Sequence, residues 1–266
     1  MSTDTILFNI LPVALASCVG VFLRIILAAV ANIYAIPGPS FLLANIVGCF
    51  IIGQTLALSS TFPANVSIWI TTGVCGALTS FSAWQQYSAS IIAFDRNVAG
   101  WLLELLIGFS LWIASYLCGR HSASLGVVFH RITLIVVMLA GIAGAAFLRL
   151  TEKALIAIGL GAIGGLTRYL LSIGLNKGLH GKYDWFPFGT FLSNIGGCIV
   201  SGVTWLSTGD PQHPVIVGVA GALTTVSTFI AEIDQITMPK QYLYALSSIV
   251  LAQVVFITIF NGIAKA

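Results

Sequence analysis

Charged side chains are scarce in this sequence: Asp, Glu, Lys and Arg make up 7% of its 266 residues, and only 8 are acidic. A soluble domain carries about 25% charged residues, whereas 58% of this chain is hydrophobic. The scarcity of charge excludes a soluble domain and predicts an all-α integral membrane protein that contacts the lipid bilayer. The net charge of +3 is too small to indicate a nucleic-acid partner.

Paired cysteines and catalytic motifs are lacking as well. The five cysteines all lie within apolar runs, without the spacing of metal ligands, so we expect no disulfide and no cysteine-bound metal. The sequence contains no nucleophile–base constellation, phosphate-binding loop or dinucleotide fingerprint. We therefore expect that the protein is not an enzyme.

Long apolar runs are what the chain does contain. A helix needs about 20 mostly apolar residues to cross a bilayer, and nine segments qualify, four on each side of a central one. This arrangement predicts two four-helix domains, 1–119 and 151–266, joined by a linker, 120–150, that holds the fifth span. The predicted spans are 6–31, 41–58, 68–94, 98–117, 132–147, 154–175, 188–206, 215–236 and 243–260.

The third span of each half contains an unusual polar stretch. Residues 73–84 read GVCGALTSFSAW and residues 218–229 read GVAGALTTVSTF, identical at seven of twelve positions. Each glycine costs about 1 kcal/mol in a helix interior, so we expect breaks near 76–82 and 221–228. Broken helices survive in a membrane only where protein or a wet cavity satisfies the freed backbone. Two matched breaks therefore predict a binding site in a transport protein built from repeats.

The duplication extends beyond the broken helices. Arg24 in the first span corresponds to Arg168, and Asn45 in the second span corresponds to Asn194. These pairs are 144 and 149 residues apart, and the breaks are 145 apart, so the two halves match throughout. Because a single span separates two four-helix copies, the second copy enters the membrane in the opposite orientation. The sequence thus predicts an inverted-topology repeat.

The duplicated polar residues have both structural and functional interpretations. Asn45 and Asn194 could form interhelical hydrogen bonds, worth roughly 0.6–2 kcal/mol, or donate to an anion in a pore. Arg24 and Arg168, each costing roughly 2.5–3.5 kcal/mol at the bilayer centre, could bind helix-end carbonyls or collect anions at a vestibule. The matched positions beside matched breaks favour function for the asparagines.

The side chains of the two breaks could line an anion path. The edge of a phenylalanine ring is electropositive, and the first break has Phe81 and Trp84 where the second has Val226 and Phe229. Ordinary packing is the alternative for the rings, and back-bonding to the helix is the alternative for the hydroxyls. The hydroxyl-bearing residues are Thr79, Ser80, Ser82, Thr224, Thr225, Ser227 and Thr228.

Acidic residues near the spans do not recur symmetrically. Glu104 lies early in the fourth span, and Glu232 and Asp234 follow the second break. A proton-coupled carrier would need such carboxylates at depth, but their positions near span ends favour anchoring of helix ends. A proton- or sodium-coupled transporter of a small solute is nevertheless the alternative function. A membrane scaffold without transport is a third hypothesis, which the duplicated break disfavours.

The repeated motifs resemble those of the fluoride exporter channels, the CrcB/Fluc family, and specifically its fused two-domain eukaryotic (FEX-like) form. The second half carries them as GGLTRY (164–169), PFGTFLSN (187–194) and GALTTVSTF (221–229). The first half carries more divergent copies, VFLRI, PSFLLAN and GALTSFSAW. The resemblance covers nearly the whole chain, with the fifth span as the linker of the fused form.

This resemblance implies a passive, selective channel that exports fluoride and protects against its toxicity. It also implies a central structural Na⁺ and a vestibule with Arg24 and Arg168. One phenylalanine from each half would complete a single pore, whereas Trp84 and Val226 would mark a decayed one. The residues implied for the pore are Asn45, Asn194, Phe81, Phe229, Ser82, Ser227 and Thr228, and the backbone carbonyls implied for sodium are those of Gly76, Thr79, Gly221 and Thr224.

Some properties follow from the fused form and others stay open. Because each half supplies its partner's surface, we expect the chain to work as a monomer, most simply in the plasma membrane. Basic residues outside the spans are nearly balanced, which leaves orientation open. Residues 65–67 match a glycosylation acceptor close to a span. Which asparagine serves the pore, and whether the second pore conducts, also stay open.

Overall fold

The computed structural model describes residues 3–33, 39–148, 150–176 and 183–263, and these form helices joined by short turns, with no β-strand among them. Several helix ends carry caps. Asn97 Oδ1 accepts the Gly100 N–H at the start of one helix, and Gly209, with φ of 67°, ends another. The α-helices are α1 (Thr3–Ile33), α2 (Leu42–Ala57), α3 (Ala64–Ile68), α4 (Gly76–Leu78), α5 (Phe81–Ala93), α6 (Val98–Ser122), α7 (Gly126–Phe147), α8 (Glu152–Leu175), α9 (Phe188–Thr208), α10 (Gly221–Leu223), α11 (Ser227–Gln235) and α12 (Lys240–Ile263).

The helical segments are those of a multi-pass membrane protein, as the composition predicts. Within the described ranges, six segments are long and apolar enough to cross a membrane, and the 50-residue one contains both α6 and α7. Helix α2 is apolar but shorter, with 16 residues. The count of nine spans stays a prediction. The six segments are Ile6–Ile33, Ala64–Ala93, Val98–Phe147, Glu152–Leu175, Val215–Gln235 and Lys240–Gly262.

Both third spans break where the sequence predicts it. A π-helical segment, Trp69–Cys75 in the first half and Val215–Ala220 in the second, leads into the one-turn helices α4 and α10. The backbone then becomes extended at Thr79, with ψ of 149°, and at Thr224, with ψ of 153°. The π-helical segments have no signature in the apolar pattern, and such segments frequently accompany functional sites.

The second part of each broken helix packs against the other half of the chain. Helix α5 contacts α9 and α12, and α11 contacts α2 and α6, while α4 and α10 meet at the centre beside α1 and α8. We call the first set the α5 groove (α5, α9, α12) and the second the α11 groove (α11, α2, α6). The predicted domain boundaries stay predictions.

Candidate permeation site at the paired helix breaks

Each break is held by a threonine hydroxyl of the other. Thr79 Oγ1 accepts the N–H groups of Val226 and Ser227, both at 3.1 Å. In the reciprocal contact, Thr224 Oγ1 accepts the N–H of Ser82 at 3.2 Å. These N–H groups lie at the starts of α11 and α5, where a helix leaves its first donors unpaired. The two halves therefore satisfy each other's freed backbone.

The two asparagines occupy equivalent places beside the breaks, and both are fully buried. Asn45 Oδ1 accepts the N–H of Ser80 at 2.9 Å, and Asn194 Oδ1 accepts that of Thr225 at 2.8 Å. The amide nitrogens differ. Asn194 Nδ2 donates to the Thr225 carbonyl at 3.2 Å, whereas Asn45 Nδ2 has no hydrogen-bond partner among the described residues.

The first break frees two backbone carbonyls of their helical donors. In a continuous helix the N–H of residue i+4 bonds to the carbonyl of residue i. Here the Ser80 N–H, which would serve Gly76, bonds to Asn45, and the Ala83 N–H, which would serve Thr79, bonds to the Ser80 hydroxyl at 3.2 Å. The carbonyls of Gly76 and Thr79 thus lie in the interior without their usual partners.

The second break repeats this diversion at the equivalent positions. The Thr225 N–H, which would serve Gly221, bonds to Asn194 at 2.8 Å. The Thr228 N–H, which would serve Thr224, bonds to the Thr225 hydroxyl at 3.2 Å. The carbonyls of Gly76, Thr79, Gly221 and Thr224 therefore lack their helical donors, and carbonyl oxygens of this kind are hard ligands that suit a metal cation.

The two arginines bind the break of the opposite half. Arg168 Nη2 donates to the Thr72 carbonyl at 2.7 Å, and Arg24 Nη2 donates to the Val217 carbonyl, the equivalent residue. A Cβ atom added to Gly76 would overlap the guanidinium of Arg168, and one added to Gly221 would overlap the guanidinium of Arg24. The arginines thus bind helix carbonyls, as their structural interpretation predicted.

The arginines differ in their remaining contacts. Arg168 is 1% exposed, and its Nε donates to the Ala222 carbonyl at 3.0 Å, which fixes the side chain at both ends. Arg24 is 7% exposed, lines a cavity, and its Nη1 has no described partner. Only Arg24 therefore has both an unpaired donor and access to space that an ion could use.

The phenylalanines that the sequence pairs across the halves are in contact. The rings of Phe81 and Phe229 are 5.3 Å apart at 66°, and both are fully buried. Phe229 also packs edgewise on Tyr244 of α12 at 5.2 Å. Trp84 packs edgewise both on Phe81 at 5.8 Å and on Trp112 of α6 at 6.0 Å. The phenylalanine pair thus meets α12 through Tyr244 and α6 through Phe109, whose ring lies 6.5 Å from that of Phe229.

A cavity of about 680 Å³ reaches the first break between α1, α5 and α9. Its lining residues include Arg24, Ser80, Ser82, Gln86 and Ser201, and the Ser201 hydroxyl donates to Gln86 Oε1 at 2.7 Å. None of its described lining residues is acidic. The cavity therefore offers hydrogen-bond donors and one cation, which suits a small anion.

Five polar residues of α5, α9 and α12 were missed by the sequence analysis: Gln85, Gln86, Ser201, Tyr244 and Gln253. They are uncharged side chains within apolar helices, the same signal that identifies Asn45, but they lack a copy in the other half. At the positions matched by the repeat spacing stand Ile230, Ala231 and Ile52 instead of Gln85, Gln86 and Ser201. Gln253 and Tyr244 of α12 complete the set.

The acidic residues have local partners. Glu104 accepts a hydrogen bond from Ser88, and Asp234 forms an ion pair with Arg120 at 2.5 Å. Glu232 accepts three hydrogen bonds, from Thr190 at 2.6 Å, Tyr244 at 2.7 Å and Asn176 at 3.2 Å. None of the described hydrogen bonds of the break hydroxyls goes to a carboxylate.

The chain is similar to known proteins over both halves. The model of a family described as "CrcB-like protein, Camphor Resistance (CrcB)" matches residues 11–141 and 154–263. Relatives named fluoride-specific ion channel FluC include those of Erwinia tasmaniensis, 34% identical over 41% of this chain and 96% of the relative, and Pseudomonas aeruginosa, 33% identical over 42% and 98%. A third, from Nitrosococcus oceani, is 40% identical over 32% and 71%. The comparison with solved structures gives no match.

Proposed function

Because this chain belongs to the CrcB-like protein family, we propose that it is a passive, selective fluoride channel that exports fluoride across a membrane and thereby protects against fluoride toxicity. The relatives named as fluoride-specific ion channels support this proposal. The observation that carries it is the contact of Phe81 with Phe229 beside two breaks rich in hydroxyl groups and free of carboxylate partners. The protein is a channel and not an enzyme.

The proposed architecture is a fused inverted pair with nine spans. Relatives that align over nearly their whole length cover only about two fifths of this chain, and the family match falls in two segments, which supports two joined copies. Helix α7 between the copies would reverse the second one. The hydroxyl and arginine contacts exchanged between the halves support a channel that works as a monomer.

We propose a single pore along the α5 groove. A fluoride ion that leaves water loses tens of kcal/mol of hydration in a medium of ε ≈ 4, so donors must replace its water at successive weak sites. Arg24 and the hydroxyl of Ser82 would receive the ion in the cavity, and the ring edges of Phe81 and Phe229 would follow. Of the two asparagines, Asn194 belongs to α9 of this groove, whereas Asn45 of α2 reaches the first break at Ser80 and has the free donor, which makes Asn45 the stronger candidate. A negative interior drives anions outward by about 2.3 kcal/mol per charge per 100 mV.

We further propose that a structural Na⁺ binds the carbonyls of Gly76, Thr79, Gly221 and Thr224. Their diverted helical donors support this site, since a cation would restore partners to buried oxygens. If it binds there, replacing Na⁺ by choline at equal ionic strength lowers the unfolding temperature of the purified protein. The same replacement of Na⁺ by choline is made with the Gly221→Ala variant, which changes a residue of the proposed site. A smaller change in its unfolding temperature shows that the effect of Na⁺ belongs to this site. Unchanged temperatures in both salts would contradict it.

The test of the main proposal is fluoride efflux from liposomes that hold the purified protein. We expect fast loss of fluoride that requires valinomycin to carry compensating charge, with chloride retained inside. No loss, or loss only with an imposed proton gradient, would exclude the channel and favour a coupled transporter. The plasma membrane is the proposed location, because export from the cell requires it, and fluorescence microscopy of a tagged chain tests this.

A further inference from the structure

A buried cluster of amides lies one helical turn beyond Phe81, where α5 packs on α12. Gln85 is fully buried, and Gln253 is 3% exposed. The indole Nε1 of Trp101 donates to Gln253 Oε1 at 2.8 Å. Gln253 Nε2 then donates to Gln85 Oε1 at 2.7 Å and to the Gln85 carbonyl at 3.1 Å. The three side chains form one chain of hydrogen bonds that ends at Gln85.

The orientation of both amides follows from the first member of this chain. An indole N–H can only donate, so the oxygen of Gln253 must face Trp101 and its nitrogen must face Gln85. That nitrogen requires an acceptor, so the oxygen of Gln85 faces Gln253. Gln85 Nε2 is thereby turned away from the cluster, and it has no hydrogen-bond partner among the described residues. Its position as a free donor is imposed by its neighbours.

A free, buried N–H is destabilising unless an acceptor meets it. A cation cannot be the partner of Gln85 Nε2, because this amide nitrogen presents only N–H donors. Residues four apart share a face of a helix, so Gln85 lies on the same face of α5 as Phe81, and this face is directed toward α12. The matched position in the other half is Ile230, which has no polar atom in its side chain.

We propose that the amide of Gln85 is an anion-binding site within the permeation path, one helical turn beyond Phe81 where α5 packs on α12. Its Nε2 donates to a small, largely dehydrated monovalent anion and replaces one hydrogen bond from water. This assignment rests on the proposed function, and the anion that fits both is fluoride. Gln253 and Trp101 act as positioning residues, since they fix the amide without facing the ion.

The binding test uses thermal unfolding of the purified full chain in detergent, with potassium fluoride compared with potassium chloride. An anion that binds the folded state raises the unfolding temperature, so we expect a fluoride-specific rise in the parent. The Gln85→Met variant keeps the volume but removes the donor, and it should lose most of that rise. The Ile230→Met variant is the matched control and should retain it. A full rise in Gln85→Met, or none in the parent, would overturn the proposal.

The flux test separates the site from the function. We expect Gln85→Glu, which places oxygens where the donor was, to lower fluoride efflux roughly 100-fold. We expect Gln85→Met to raise the half-saturating fluoride concentration roughly tenfold, whereas a merely structural role would lower only the maximal rate. A conducting parent whose Gln85→Glu variant retains its flux within about twofold overturns the site but not the channel. A parent that does not conduct, but shows the fluoride-specific rise that Gln85→Met loses, overturns the channel but not the site.

Discussion

The α5 groove and the α11 groove begin at equivalent breaks, yet their linings differ. Both receive a half-helix whose first N–H groups are capped by the opposite threonine, and both lie beside an asparagine bound to the break. Beyond this common start the side chains diverge. The α5 groove has Phe81, Gln85, Gln86 and Ser201, whereas the matched residues of the α11 groove are Val226, Ile230, Ala231 and Ile52.

This difference separates two requirements that a symmetric channel would combine. The break needs its hydroxyl and amide partners because unsatisfied backbone is costly inside a membrane, so both halves keep them. An anion path needs donors along its length as well, and the α5 groove offers Gln86 and Ser201 at the cavity. We infer that the geometry of the breaks serves the stability of the fold, and that the side chains lining each groove decide which groove conducts.

The largest effect is expected at the phenylalanine pair. Phe81→Ile or Phe229→Ile removes an electropositive ring edge from the path, and we expect each to lower fluoride efflux from liposomes by roughly 100-fold or more. Substitutions at Val226 and at Trp84, which packs edgewise on Phe81 but does not belong to the phenylalanine pair, should be tolerated. Loss of flux at all four positions would mean that the two grooves are not functionally distinct.

Exchanging the linings should have the next largest effect. Gln86→Ala with Ser201→Ile gives the α5 groove the residues of the α11 groove, and we expect fluoride efflux to fall roughly tenfold because two polar groups are lost. The reciprocal pair, Ala231→Gln with Ile52→Ser, should leave efflux unchanged. Equal losses from both exchanges would show that the substitutions act through packing.

The fold could be predicted from the sequence to a large extent, because apolar runs and a duplicated break are strong signals. Most helices end within a few residues of the predicted spans, and the chain breaks at Thr79 and Thr224, but the predicted gap between the fourth and fifth spans, 118–131, is almost wholly helical. The π-helical segments before the breaks were not predicted, because they are largely apolar and carry no clear period that an added residue would shift. The number of spans that cross the membrane stays a prediction.

The candidate site could be predicted only where the two halves agree. Asn45 and Asn194 were identified because they recur, and their bonds to the breaks are equivalent. Gln85 was missed because Ile230 stands at its matched position. Its free amide depends on Trp101, a residue of another helix. Such a chain of contacts is set by tertiary packing, which no local pattern encodes.

The two arginine–glycine contacts provide a stability test of the same comparison. A Cβ at Gly76 would collide with the guanidinium of Arg168, which two carbonyls fix in place, so we expect Gly76→Ala to destabilise the protein by about 1–3 kcal/mol. Gly221→Ala should cost less, because Arg24 can shift toward the cavity. Gly159→Ala is the control, since nothing lies within 4 Å of its Cβ position. Denaturation of the purified variants in detergent measures the order, and a larger loss for Gly221→Ala would contradict it.

The smallest effect on fluoride efflux is expected at Glu104. Comparing it with Glu232 tests whether the two grooves also differ in the role of their carboxylates. Glu104 of α6 accepts a hydrogen bond from Ser88, on the side of α5 where Trp84 meets α6. Glu232 binds the hydroxyl of Tyr244, whose ring packs on Phe229. We therefore expect Glu104→Gln to change fluoride efflux less than about twofold, and Glu232→Gln to reduce it severalfold by releasing that tyrosine from its carboxylate.

The same two variants decide between a channel and a proton-coupled carrier. A carrier must protonate a carboxylate at depth during each cycle, so one of these substitutions would abolish its transport and remove its response to a proton gradient. A channel has no such requirement. Its efflux should persist in both variants, follow the potassium potential set through valinomycin, and stay indifferent to an imposed pH difference. Abolition of flux by Glu104→Gln would place a working carboxylate on the side of Trp84, and it would reverse the assignment of the two grooves.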